Sequence, residues 1–341
     1  MALNLLLVDI YFIYETNKLY GKLNCQSNTM SRQSPFVTIL LLLISIFCWG
    51  SVFPVSKLVL DQMSQNSLVV WRFSIAALCL LGYILLKGER WPTLAWQQYT
   101  WLIAISLVGV GGFNLLLFTG VKHTAATNGA LVMALSPLVT SLLVAALSRK
   151  WLSRSQSVSL VIGLAGVLLV ITKGSWQALL QFEFNRGDIT IIAAMLLWSA
   201  YTTASQKMTT WLPLLPFTLI SMLAGDAFIL GFNSIQGDIH PITELLQLPL
   251  QGVLAVFYIG VFGTVIGYLF FLNAVQRLGS APAALFFNLI PVCAALTALL
   301  MGQKVTSIQV TGMAVVLLGL MLPQLLKLIR QRKTAQIPVN Q

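Results

Sequence analysis

An arginine and an aspartate stand inside otherwise apolar stretches, Arg72 in LVVWRFSIAAL and Asp226 in ISMLAGDAFIL. A charge within hydrocarbon is costly unless it reaches the headgroups, pairs or faces water. Arg72 is therefore a candidate anchor for a substrate carboxylate or phosphate, with snorkelling to the outer headgroups as the plain alternative. Asp226 is the acid well inside a stretch: a candidate proton or ion-pair site, a partner for Arg72, or a carboxylate held by hydroxyls. Trp49 and Trp198 fall near the centres of their stretches, although tryptophan favours the interface belts. They suit a cavity wall that stacks on a flat or cationic substrate, or plain helix packing, and Tyr201 lies on nearly the same helical face as Trp198. Asn114, Tyr268 and Asn288 could hydrogen-bond a polar ligand or join helices. Pro137 and Pro291 each remove an amide donor and displace the carbonyl four residues back, at Met133 and Phe287. They are candidate hinges whose freed carbonyls could face a substrate.

Other chemistries are poorly served. His123 and His240 lie far apart near stretch ends, and Cys25, Cys48, Cys79 and Cys293 form no CxxC pair, so neither a metal site nor a disulfide is expected. Gly109-Val110-Gly111-Gly112 lacks the Lys and Ser/Thr of a phosphate loop. No cofactor is expected.

The elements that must position these residues follow from composition. Hydrophobic residues make up 57% of the 341 positions and charged residues 9%, against about 25% charged in soluble domains. The apolar residues fall in blocks of about 20, the length that crosses a hydrocarbon core of about 30 Å. Without water to satisfy the backbone, each block should be a helix, and the blocks lack the alternation of a membrane β-barrel. The spans read as 36–57, 67–86, 99–120, 126–147, 157–172, 187–206, 214–233, 250–273, 280–301 and 306–325. The net charge of +11 sits in short connections rather than on one face, which argues against nucleic-acid binding. Lys87, Arg90, Arg149, Lys150, Arg154, Lys207, Arg277 and the tail from Lys327 to Lys333 fall on one side, which places both termini in the cytoplasm. Residues 1–35 read as a cytoplasmic extension: Leu3 to Ile13 carries Asp9 and is too short to span, and Met30-Ser31-Arg32 directly precedes the first full span.

The chain is also a duplication. GVKHTAATNGALVMALSPL at 120–138 matches AVQRLGSAPAALFFNLIPV at 274–292 at an offset of 154, with Val121 on Val275, Ala130 on Ala284 and Pro137 on Pro291. Gly166 then falls on Gly319, and earlier Trp49 falls on Trp198. Each half holds five spans, and an odd number inverts the second copy in the membrane, as in carriers. The expected fold is an all-α integral membrane protein, ten transmembrane helices forming two inverted five-helix repeats around a central cavity. The expected boundaries are 36–172 and 187–325 for the repeats, 173–186 for an external linker and 326–341 for a basic cytoplasmic tail.

These features resemble the EamA-type members of the drug/metabolite transporter superfamily. The resemblance rests on the two-times-five plan, on Trp49-Gly50-Ser51-Val52-Phe53 followed by Lys57, on Arg72-Phe73, on the paired segments before Pro137 and Pro291, and on GLAGVLLV and GMAVVLLGL. It implies ten helices around a cavity and export of amino acids, related metabolites or drugs. Where that family carries a Glu before a basic residue, this chain has Arg149-Lys150 and Gln303-Lys304. The expected function is thus secondary transport of a small molecule by alternating access in an inner or plasma membrane, coupled to protons or uncoupled, with membrane lipids as the other partner. A flippase of a lipid-linked molecule is the alternative. An intramembrane enzyme has Ser51 but no histidine in the core to serve it.

Overall fold

In this computed structural model the described residues are 34–335, apart from 89–90, 92, 125–131, 150, 176, 178–179, 181–184, 211, 237–239 and 303–304. Cys25, most of the expected extension, half of the expected linker, Arg90, Lys150, Gln303 and Lys304 therefore lie outside the described residues. The described residues from Thr38 onward belong to one compact unit.

The described secondary structure is helical throughout. The helices are α1 (Pro35–Ser56), α2 (Gln65–Lys87), α3 (Trp96–Gly120), α4 (Ser136–Ser148), α5 (Arg154–Thr172), α6 (Arg186–Met208), α7 (Leu214–Gln236), a short α8 (Pro241–Gln247), α9 (Leu250–Leu278), α10 (Ser280–Leu300) and α11 (Ser307–Ala335). Among the described residues, 7 are long and apolar enough to cross a membrane: α1, α2, α3, α5, α7, α9 and α10. Three of the expected spans fall short of that measure. Ser136–Leu147 and Ser307–Leu322 are shorter apolar helices. Helix α6 has the length but is more polar, because it buries Asp188, Ser199, Thr202 and Ser205 against its neighbours.

Side-chain pairings give the helix directions. Asn66 Nδ2 donates to Asn233 Oδ1 at 2.8 Å, and eight residues on, Ser74 Oγ donates to Asp226 Oδ2 at 2.6 Å. The partner number falls as the first rises, so α2 and α7 run antiparallel. Helices α5 and α11 do the same. A Cβ at Gly319 would meet Gly163, one at Gly166 would meet Val316, and one at Gly174 would meet Ile308. In both pairs the helices are equivalents in the sequence duplication. The off-diagonal contacts repeat as well: Val52 of α1 lies on Gly263 of α9, and Tyr201 of α6 lies on Gly109 of α3. Glycine at these crossings lets backbones approach closely, the main route to tight packing where lipid removes the hydrophobic drive between helices.

Helices α3 and α9 each contain a π-helical stretch, Leu107–Gly112 and Ile259–Ile266. Both are glycine-rich and lie at equivalent places. Such stretches widen the turn, re-aim the side chains beyond them and are frequent at functional sites.

Helix α2 begins two residues before its expected span because Ser64 caps it, its Oγ accepting from Ser67 N. Glu244 of α8 in turn accepts from Ser64 N at 2.6 Å and from His240 N at 3.2 Å, and Trp71 Nε1 donates to Pro241 O at 2.8 Å. Burial alone would raise the Glu244 carboxyl, but the amides of Ser64 and His240 and the hydroxyls of Ser67 and Ser64 outweigh it and hold it below its ordinary 4.5. Since the folded value is the lower one, this tie is complete near neutral pH and lost as pH falls through that value. Amide exchange in the first turn of α2, corrected for intrinsic rates, should accelerate below about pH 4.5. Glu244→Gln should exchange faster near neutrality with little added acid effect, and matching pH profiles for the two proteins would exclude the tie.

Candidate functional site

The π-helical stretches of α3 and α9 turn Asn114 and Tyr268, one just after each, towards the interior, where both are buried. Helix α9 also receives α1: Trp49 Nε1 donates to Gly263 O at 2.9 Å and Ser45 Oγ to Gly267 O at 2.6 Å. A Cβ at Gly267 would strike the Trp49 indole, so the glycine is what lets the ring lie against α9.

The two tryptophans meet. Their ring centroids are 6.0 Å apart, edge to face. Around them stand Tyr268, 5.7 Å from Trp49 and 5.6 Å from Trp198, and Phe271, 5.0 Å and 6.0 Å from the same rings. Phe287 closes a third side at 5.7 Å from Trp49, while Phe113 and Tyr201 pack on Trp198 at 5.1 Å and 5.6 Å. Trp198, Tyr201 and Tyr268 are 6%, 0% and 2% exposed. The structure therefore brings together four of the expected cavity residues, but as a packed aromatic plug rather than an open wall. Each such ring pair is worth about 0.5–1.5 kcal/mol beyond area burial, so a substrate that separates them must replace those contacts. The rings of Phe113, Phe271 and Phe287 carry no polar signal in the sequence, though Phe271 follows Tyr268 at the three-residue spacing of one helix face.

The charged residues part company. Arg72 is half-buried; its Nε donates to Thr264 Oγ1 at 3.1 Å and its guanidinium lies 5.1 Å from the Phe73 ring centre. Thr264 is oriented by donating to Ile259 O across the π-helical stretch at 3.0 Å. Asp226 takes its hydrogen bond from Ser74 on another face of α2, and its Oδ1 is buried without a partner among the described residues. The pairing of Arg72 with Asp226 weighed from the sequence is thus not formed. Arg72 lies about 10 Å along the axis from the start of α2 and Asp226 about 15 Å from the end of α7, at 1.5 Å per residue, both helices reaching past their expected spans.

Pro137 stands at the start of α4, and Pro291 stands where α10 leaves a 3₁₀ turn. Pro137 and Pro291 occupy the first turn of the segments Ser136–Ser148 and Ile290–Leu300, and the latter is preceded by the 3₁₀ turn Phe286–Leu289. The missing amide is tolerated at such a start. The expected free carbonyls are occupied: Met133 O accepts from Ser136 Oγ at 2.7 Å and Phe287 O from the Ile290 amide. Asn114 Nδ2 likewise donates to Val110 O of its own π-helical stretch at 2.7 Å. Asn288 stands apart from the plug and faces α5, where only Gly163 leaves room for its Nδ2.

The sequence profile described as the EamA-like transporter family matches residues 36–172 and 185–323. Among relatives, the uncharacterized transporter YyaM of Bacillus subtilis (strain 168) is 29% identical over 286 residues, covering 84% of this chain and 92% of its own. The uncharacterized inner membrane transporter YedA of Escherichia coli (strain K12) is 26% identical over 300 residues, covering 86% and 92%. A solved crystal structure at 18% identity shares the fold with a TM-score of 0.72, over 86% of this chain and 98% of that one. With both halves of the sequence matched, this multi-pass helical chain belongs to the EamA-like transporter family and is a membrane transporter, not an enzyme.

Proposed function

We propose that the chain is a secondary carrier that exports a small amphipathic metabolite, amino acid or drug by alternating access. In this reading ten spans form two inverted repeats, 36–172 and 187–325, with both termini in the cytoplasm of an inner or plasma membrane. One observation carries it: equivalent helices of the duplication pack antiparallel, α2 on α7 and α5 on α11. Two like bundles related in that way can rock about a shared centre between states of similar energy. At that centre lies the aromatic plug of Trp49, Trp198, Tyr201 and Tyr268, which a flat or cationic substrate can replace ring for ring. Arg72 then serves as the anchor for an anionic group and Asp226 as the proton site.

The Asn66–Asn233 and Glu244–Ser64 bonds join α2 to α7 and α8 at one end. The positive-inside assignment makes that the outer end, so the conformation is one closed to the outside. Counterflow in proteoliposomes, across amino acids, amines and nucleosides with and without a proton gradient, tests the reading. Saturable exchange of at least one class is expected; absence of flux for every class, or maleimide labelling that places the two termini on opposite faces, would refute it.

A further inference from the structure

Away from the plug, a groove between α4 and α5 ends on a polar group that no described residue satisfies. Its outer part, about 280 Å³, is lined by Leu138, Leu142, Trp151, Leu160 and Val161, with Ser157. Its inner part, about 50 Å³, shares Leu138, Leu160 and Val161 and ends on Pro137 and Asn288. Val161 is 67% and Leu142 45% exposed, and both stand on apolar helices, so in a bilayer the groove opens to hydrocarbon rather than to water. Asn288, by contrast, is only 6% exposed, and its carboxamide makes no hydrogen bond to any of the described residues. A carboxamide in such a place gains from a hydrogen-bonding partner, and a lipid tail offers it none. The occupant that suits both ends of the groove has an apolar body and a hydrogen-bonding head. None of the side chains lining it carries a charge, so the head is neutral.

We infer that this groove binds small amphipathic molecules arriving from the bilayer, with a neutral carbonyl, amide or hydroxyl head on Asn288 and an apolar body along Leu138, Leu160 and Val161. This names a substrate class and an entry route, and it rests on the carrier reading above. Gly163 leaves room for the Asn288 side chain at the end of the groove, since a Cβ there would collide with Asn288 Nδ2. Pro137 puts the occupied end at the start of α4. The Asn288 amide lies just before Pro291, on the 3₁₀ turn that starts the second half of α10, so the head would meet the equivalent place in the other repeat as well.

The test uses the full chain in phosphatidylcholine vesicles and two photoreactive diazirine probes, a decanamide and a plain decane of equal length. Crosslinks of the decanamide should map by mass spectrometry to Leu138, Leu160 or Val161. They should fall about five-fold in Asn288→Leu, the loss expected from one hydrogen bond, while crosslinks of the decane stay unchanged. Val161→Trp alters only an exposed position and should reduce both probes without changing the melting temperature. Equal labelling by the two probes regardless of residue 288 would show a groove filled by lipid tails alone and overturn the inference, as would no labelling there. Counterflow on the same vesicles separates the two readings. Flux without groove labelling refutes the site and leaves the carrier, whereas labelling without flux for any tested class refutes the carrier and leaves the site.

Discussion

Asp226→Asn is expected to abolish the response of flux to an imposed proton gradient while leaving the protein folded. The carboxylate is held through one oxygen, which accepts from Ser74 at 2.6 Å, and its other oxygen is buried without a partner among the described residues. Asparagine has the same shape and can still accept from Ser74, so the α2–α7 contact should survive. What it cannot do is change charge, and an intramembrane acid of this kind is a proton-relay candidate by its cost alone. The gradient-dependent part of the flux should therefore fall to background, while the Ser74 hydrogen bond and the fold it supports remain. Counterflow at two external pH values measures it. Should the asparagine variant retain full gradient-dependent flux, Asp226 is a structural acid held by Ser74 and the proton enters elsewhere. Ser74→Ala is the companion variant: it removes the hydroxyl that holds the carboxylate and should lower stability and flux together.

The second large effect is structural. Gly166→Val should separate α5 from α11 and lower stability by about 3 kcal/mol, the upper part of the range for overpacked sites. A Cβ at Gly166 would lie 2.6 Å from Val316 N and 2.8 Å from Gly312 O. Both are backbone atoms, so no side-chain rotation relieves the clash and a whole helix must move. Gly82→Val and Gly231→Val are the controls, because nothing stands within 4 Å of a Cβ at either position. Thermal melting in detergent should show a clear drop for position 166 and little change for the controls. A variant at 166 as stable as the controls would mean that the α5–α11 contact does not hold the two halves together, and the inverted-repeat reading would lose one of its two supports.

Much of the architecture was legible because it follows from solvent alone. Apolar blocks of membrane length must be helical, and the positions around Pro137 and Pro291, and Gly166 and Gly319, repeat along the chain. The extra length of α2 and α7 was less legible, since capping by Ser64 and polar residues such as Asn233 carry a helix past its apolar block. Whether the carbonyls before Pro137 and Pro291 stay free was not legible either, because it depends on a neighbour such as the Ser136 hydroxyl.

Class, helical content, family and the polar residues within the apolar blocks can be read from the order of residues along the chain. Those properties depend on composition and on one-dimensional spacing. Which residues face one another was decided only by the tertiary structure: Trp49 on Trp198, Asp226 on Ser74 rather than Arg72, Asn288 at the end of a groove. Helical periodicity fixes a residue's face only to within a turn. The rotation and crossing of helices are set by where glycines such as Gly109, Gly166 and Gly263 let two backbones touch, and that is a property of pairs of helices rather than of any single stretch.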